Sequence, residues 1–182
     1  ALPSNNNGGP GARRFHIRTP YTMTAPLLSL YRRFSRWPAG NWLFSRAVCF
    51  KAPYFASISP RITALEPGRC EGVIRQRRRI SNHIGTVHAI AMCNLAELVG
   101  GVMVDASLPA DMRWIPKGME VKYQAKALGV LKAVATPQQP IISAEHGYDL
   151  PVQVSVTDAA GTEVFQAIIA MWVSPRPSRS GG

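Results

Sequence analysis

Between Ala1 and Leu65 the chain contains no aspartate and no glutamate. The same stretch carries Arg13, Arg14, Arg18, Arg32, Arg33, Arg36, Arg46, Lys51 and Arg61, and so supplies +9 of the formal net charge of +11. The remainder holds twelve basic and ten acidic residues, so the excess is an N-terminal feature rather than a property of the whole chain. An acid-free basic stretch suits nucleic acid, an anionic membrane surface, an import signal or an acidic ligand, and equally a solvated basic face with no partner. Cysteine is scarce. Cys49, Cys70 and Cys93 make an odd set with no CxxC or Cys/His ligand spacing, which argues against a disulfide framework or a structural zinc site and for a reducing compartment. Clean apolar runs are short as well. The longest, Val87 to Val104, is interrupted by Asn94, Glu97 and the pair Gly100-Gly101, so no transmembrane helix is expected. No phosphate-binding loop, dinucleotide glycine pattern, Ser-His-Asp arrangement or specific nucleic-acid motif stands out.

What is present fits one domain. A chain of 182 residues with 46% hydrophobic and 17% charged residues is long enough for a sizeable core. Residues 1–22, rich in Asn, Gly, Pro and Arg, read as a disordered extension, with Met23 a sensible natural start. Residues 23–173 read as the domain and 174–182 as a polar, disordered tail. Pro26 to Trp37 reads as an amphipathic helix burying Leu27, Leu30, Tyr31 and Phe34 and ended by Pro38, with Trp42 to Tyr54 as a second helical segment. Strands are expected at Arg61–Leu65 and, after the Glu66-Pro67-Gly68 turn, at Arg69–Ile80, where Cys70, Gly72 and Ile74 alternate with Arg69, Glu71, Val73 and Arg75, and Arg75, Arg77, Arg78 and Arg79 make a basic end. Pro109 to Pro116 reads as a loop. Further strands are expected at Gly118–Leu128, Leu131–Thr136 and Asp149–Asp158, and the turn Asp158-Ala159-Ala160-Gly161 leads into a last strand, Thr162–Val173.

The densest information lies in Ser81 to Val104. A polar cluster of Asn82, His83, Gly85, Thr86 and His88 opens a nearly all-apolar helix whose interior polar residues are Asn94 and Glu97. Such a helix has to be enclosed by protein, and followed by antiparallel strands it implies an α+β fold with the helix lying across a curved sheet. A carboxylate in that run is costly without a partner or a task. Thr86 is expected to be the helix N-cap, Cys93 a buried inert thiol, and Gly100-Gly101 a site of close packing. His83 and His88 have no third ligand, so no metal site is expected, and His16 and His146 are given no role.

Asn82-x-x-Gly85-x-x-His88, with Glu97 nine residues further on, resembles the signature of hotdog-fold thioesterases, closest to the phenylacetyl-CoA thioesterase branch. The likeness spans about Ile62 to Val173. A group of bacterial hotdog proteins of unassigned function is also similar, and adds an N-terminal helical segment like Pro26 to Tyr54. The chain departs from the family pattern at Ala89, where Gly usually follows the His; Ala still supplies the N–H but leaves less clearance. The resemblance implies hydrolysis of an acyl-CoA or other acyl thioester, with coenzyme A as part of the substrate and no further cofactor. It implies Glu97 as general base or nucleophile, the Ala89 N–H at the helix start as oxyanion donor, and Asn82 and His88 at the catalytic centre, His88 mainly as a helix-start residue bonded to backbone. Gly85, Thr86 and Asn94 would lie against substrate, Asn94 orienting Glu97. Arg77 and Lys126, with Arg78, Arg79 and Lys132, would meet the phosphates. At about 100° and 1.5 Å per residue, His88 and Glu97 fall on opposite sides of the helix and roughly 13 Å apart, so the site is expected to be composite across a homodimer or a dimer of dimers. A hotdog protein that binds acyl thioesters without hydrolysing them is the alternative. A bacterial-type cytoplasmic location and no specific nucleic-acid partner complete the expectation.

Overall fold

The computed structural model describes residues 25–177. The expected extension over 1–22, with Met23 and His16, and the end of the expected tail, 178–182, lie outside the described residues.

Two helices open the fold, α1 (Pro26–Phe34) and α2 (Gly40–Lys51), and a 3₁₀ turn (Pro53–Ile58) follows them. Pro26 pre-sets the first turn of α1. The helix ends at Phe34, three residues before Trp37; Tyr31 is buried and Leu27 and Phe34 pack against the core as the amphipathic reading expects, Leu28 is buried beside them, and of the expected face Leu30 alone is exposed. Strands β1 (Arg61–Glu66) and β2 (Arg69–Arg75) form a hairpin, then the long helix α3 (Ala89–Ser107) is followed by β3 (Met112–Tyr123), β4 (Val130–Pro137), β5 (Tyr148–Thr157) and β6 (Glu163–Pro175). The strands make one antiparallel sheet in the order β1-β2-β4-β5-β6-β3.

Helix α3 crosses the inner face of this sheet, and period-2 alternation supplies the surface beneath it. Cys70 and Ile74, Leu131 and Ala133, Val152 and Val154, and Ala167 and Ile169 all point inward and are buried. Two glycines set the spacing between helix and sheet. A Cβ on Gly72 would lie 2.8 Å from Val99 Cγ1, and one on Gly100 would lie 2.9 Å from Ile169 Cδ1. The expectation of close packing at Gly100-Gly101 is met, with Gly101 seated against the Trp114 ring.

Four strand limits differ from the sequence reading by two residues or more, the first being that β3 ends at Tyr123 rather than running on to Leu128. β2 stops at Arg75, and Arg78–Ile80 form a 3₁₀ turn, so the basic residues after Arg75 leave the sheet. β3 begins at Met112, inside the expected loop, and carries Pro116 in an edge strand, where a missing N–H breaks no ladder. β6 continues through Ser174 and Pro175, and Arg176 donates from Nε to Met112 O at 2.8 Å, so the start of the expected tail belongs to the fold.

The two margins of the sheet are treated differently. Along β1 the helical pair covers the edge. Ile62 N–H donates to Ser45 Oγ at 2.8 Å, and both Asn41 Nδ2 and Tyr31 OH donate to Thr63 O, at 3.1 and 3.2 Å. Tyr31 packs edge-on against Phe44, ring centroids 5.1 Å apart. The other margin, β3, has no strand beyond it among the described residues.

The join between α1 and α2 is tight. A Cβ on Gly40 would fall 1.7 Å from Phe34 O, a backbone atom with no freedom to yield. Gly40→Ala is therefore expected to cost about 3 kcal/mol, the upper end of ordinary overpacking, and to lower Tm by roughly 6–12 °C. An unchanged melting curve would contradict this packing.

On β2, Glu71 is half-buried between Lys132 Nζ and Arg69 NH2, each 2.7 Å away. The Lys132 hydrogen bond, with Arg69 adding to it, holds the carboxyl below the usual range against the opposing effect of burial. A depressed native pKa gives stability that is complete above the ordinary glutamate value of about 4.3 and lost as pH falls through the native one. The stability difference between wild type and Glu71→Gln is expected to be largest near neutrality and to shrink on acidification, as urea titrations at several pH values will read.

Candidate functional site

The segment Ser81–His88 folds into a closed turn before α3. Asn82 organises it: its Oδ1 accepts from Ile84 N and Thr86 N at 3.2 and 3.0 Å, and its Nδ2 donates to Thr86 Oγ1 at 2.8 Å. Gly85 adopts φ +78°, a left-handed conformation that disfavours any side chain. The turn is tied down by His88 N–H to Ile80 O and Val87 N–H to Ala127 O, both 2.8 Å. Gln76, which the sequence reading passed over, clips it from below. Its Nε2 donates to Gly85 O at 2.8 Å, while its Oε1 accepts from Gly129 N at 2.7 Å.

These bonds change two assignments and keep a third. Thr86 is not the N-cap, because its hydroxyl faces Asn82; the cap is His88, whose Nδ1 accepts from Ile90 N at 3.1 Å. The backbone-bonded role expected for His88 holds, and Nδ1 is committed to it, with the ring proton on Nε2. Asn82 spends its carbonyl oxygen on the turn, so its contribution is to shape the loop.

Helix α3 starts at Ala89. The N–H groups of Ile90, Ala91 and Met92 all find acceptors at His88, whereas Ala89 N–H has none among the described residues. A free donor therefore stands at the positive end of a 19-residue helix.

Further along, α3 is not enclosed on every side. Ile90 is 55% exposed, Cys93 half-buried and Glu97 exposed, and their three- and four-residue spacing puts them in one open stripe. Glu97 has no hydrogen bond or ion pair among the described residues, whereas the other carboxylate of α3, Asp105, accepts from Trp114 Nε1 at 2.6 Å. Cys93 is not the buried thiol expected. Its Sγ lies 3.4 Å from Tyr123 OH, and this contact, together with burial, pushes the Tyr123 hydroxyl up to about 12. The contact also places the end of the bare strand β3 beside the open stripe.

Asn94 does not orient Glu97. It is buried, donates from Nδ2 to Ser57 Oγ at 3.1 Å, and leaves its Oδ1 without a partner. It helps line a cavity of about 180 Å³ with Ser57, Tyr54, Arg79 and His88. Nothing in the sequence linked Ser57 to this position. The expected opposition of His88 and Glu97 around the helix also lapses, because His88 is extended and outside it. The distance survives: eight residues from Ala89 to Glu97 are roughly 12 Å of helix rise, too far for one carbonyl.

Of the expected phosphate contacts, Lys132 is occupied by Glu71. Lys126 is exposed, and Arg77 reaches only Ser59 O, at 3.5 Å. Among the described residues no three His, Cys, Asp or Glu side chains converge as a metal site. One described helix, α3, is long and apolar enough to cross a membrane, and 72% of its most apolar window is buried in this fold.

Residues 40–173 match the family model described as Domain of unknown function (DUF4442). The chain belongs to that family. The DUF4442 chain is 43% identical to the structural-genomics protein APC5556, with 82% of this chain and 99% of that one covered at a TM-score of 0.70. A Pseudomonas aeruginosa protein of unknown function described as a probable thioesterase is 22% identical, covering 71% of this chain and 91% of its own at a TM-score of 0.63. A Haemophilus influenzae thioesterase is 14% identical over 70% of this chain and 87% of its own, at a TM-score of 0.60. A Streptococcus mutans protein solved with acetyl CoA bound is 17% identical, covering 64% and 90%, at 0.54. No curated protein sequence matches. The fold of the DUF4442 chain is therefore the hotdog fold, as the family resemblance implied, with an added N-terminal helical pair.

Proposed function

We propose that this protein hydrolyses acyl thioesters, with coenzyme A as the thiol half, at sites shared by two copies of the chain. The observation that carries the reading is Glu97: a carboxylate without a partner among the described residues, on an open stripe of a mostly buried helix. In the proposed step, Glu97 of one copy takes a proton from water, and the water oxygen attacks the thioester carbonyl. The oxyanion that forms is held by the free Ala89 N–H and helix end of the other copy. Collapse breaks the C–S bond, and the proton held by Glu97 passes to the departing thiolate, leaving carboxylic acid and thiol.

Sharing between copies is supported by the geometry of one. Ala89 and Glu97 are too far apart to act on the same carbonyl, and among the described residues β3 has no strand beyond it beside the stripe that bears Glu97. A second copy added along β3 about a two-fold axis would bring its own α3 next to this one. The free state of Cys49, Cys70 and Cys93 is in keeping with a reducing, cytoplasmic setting. Binding without turnover is the second reading, favoured by the Ala89 side chain and by an Asn82 consumed by its own turn. A panel of acyl-CoAs decides between them: free thiol released above the uncatalysed rate supports hydrolysis, whereas saturable binding with no release supports the alternative.

A further inference from the structure

A cleft of about 660 Å³ lies away from α3, between α2, the start of β1 and the ends of β2 and β4. Arg46, Arg61, Arg75 and Arg77 line it, no aspartate or glutamate does, and none of the four is in an ion pair among the described residues. Arg61 pairs across the strands with Val73, so Arg75, two residues on, is its diagonal neighbour on the same face. Arg46 comes from α2, one turn after Trp42, which also lines the cleft and is 54% exposed. Four guanidinium groups brought together from α2, β1, β2 and the segment after β2 repel one another unless an anion neutralises them.

We propose that this cleft binds a small molecule carrying at least two phosphate charges and an aromatic base, a nucleoside bisphosphate or diphosphate. Planar guanidinium forks suit phosphate oxygens in pairs, and the indole of Trp42 offers a face on which a base stacks. The volume lies in the range of small-molecule sites and exceeds what one phosphate needs. Gln76 lines the cleft and also holds Gly85, so a bound ligand adjoins the turn that leads into α3. The ligand has two sources, the nucleotide end of a coenzyme A thioester or a separate phosphorylated nucleotide. Binding does not depend on the hydrolysis reading, because no turnover is needed to detect it.

Calorimetric titration of the full chain with adenosine 3′,5′-bisphosphate and with pyrophosphate tests the site. One bound molecule per chain is expected for each. Arg61→Gln and Arg75→Gln are each expected to weaken both by about tenfold, and Trp42→Ala to weaken only the bisphosphate. All three side chains lie on the surface, and melting curves confirm that the variants fold. Coenzyme A displacing the bisphosphate identifies the first source, and bisphosphate binding that coenzyme A does not displace identifies the second; both retain the site. No binding of either probe at about 1 mM, or wild-type affinity in the arginine variants, overturns it. Glu97→Ala binding the bisphosphate as wild type does, while hydrolysing nothing, keeps the two proposals separate, and absent hydrolysis in wild type with intact binding removes only the first.

Discussion

Glu97→Ala is expected to reduce acyl-CoA hydrolysis by about 10²- to 10⁴-fold, the usual share of a positioned general base. The loss should fall on kcat, because the side chain acts on water rather than on the bound thioester. Stability should stay within about 0.5 kcal/mol of wild type, since Glu97 is exposed and makes no bond among the described residues. Glu97→Gln should behave alike, keeping the shape and removing the basic oxygen. Steady-state kinetics beside thermal melting checks both. A variant with full kcat would leave the carboxylate without a part in the reaction.

Ala89→Pro should have a comparable effect through the backbone alone. Proline is welcome at the first helical position, and the extended backbone of His88, with ψ 138°, suits the residue before it. The helix is retained and one N–H is removed. Loss of an oxyanion donor costs about 10²- to 10³-fold in kcat. Combining the two variants separates a shared site from a self-contained one. Each is inactive alone, yet a mixed dimer holds one intact pairing of Ala89 N–H from the Glu97→Ala chain with Glu97 from the Ala89→Pro chain. Co-expression in equal amounts is expected to restore about a quarter of wild-type activity, as random pairing of two-fold dimers dictates. No restoration would mean that each chain works by itself.

Much of the fold is legible in the order of residues. Alternation marks Cys70 to Ile74, Asp158 to Gly161 closes a hairpin, and the nearly all-apolar character of α3 requires a sheet beneath it. The departures have local causes. Pro116 reads as a breaker, but a strand at the margin accommodates it. Thr86 is the better capping residue by type, but Asn82 captures its hydroxyl and leaves the task to His88. Leu30 has helical spacing, but the helix is short and turns Leu28 and Tyr31 inward instead.

The candidate site is legible only in part. Glu97 stands out as a charge in an apolar run, and Ala89 through the motif ahead of it. That Glu97 faces outward depends on where the sheet stops, which no local pattern encodes. Gln76 and Ser57 carry no signal, since each matters only for a bond to a residue distant in sequence. The arginine-lined cleft is gathered from separate segments, and from composition it is indistinguishable from a solvated basic surface.

The Ser45 hydroxyl that receives Ile62 N–H has a bearing on how large an assembly can become. A ribbon with two sticky borders recruits neighbours at both ends and grows without limit. Here the helical pair seals one border, so among the described residues the other is the border left open, and the pairing proposed along it would close at two copies.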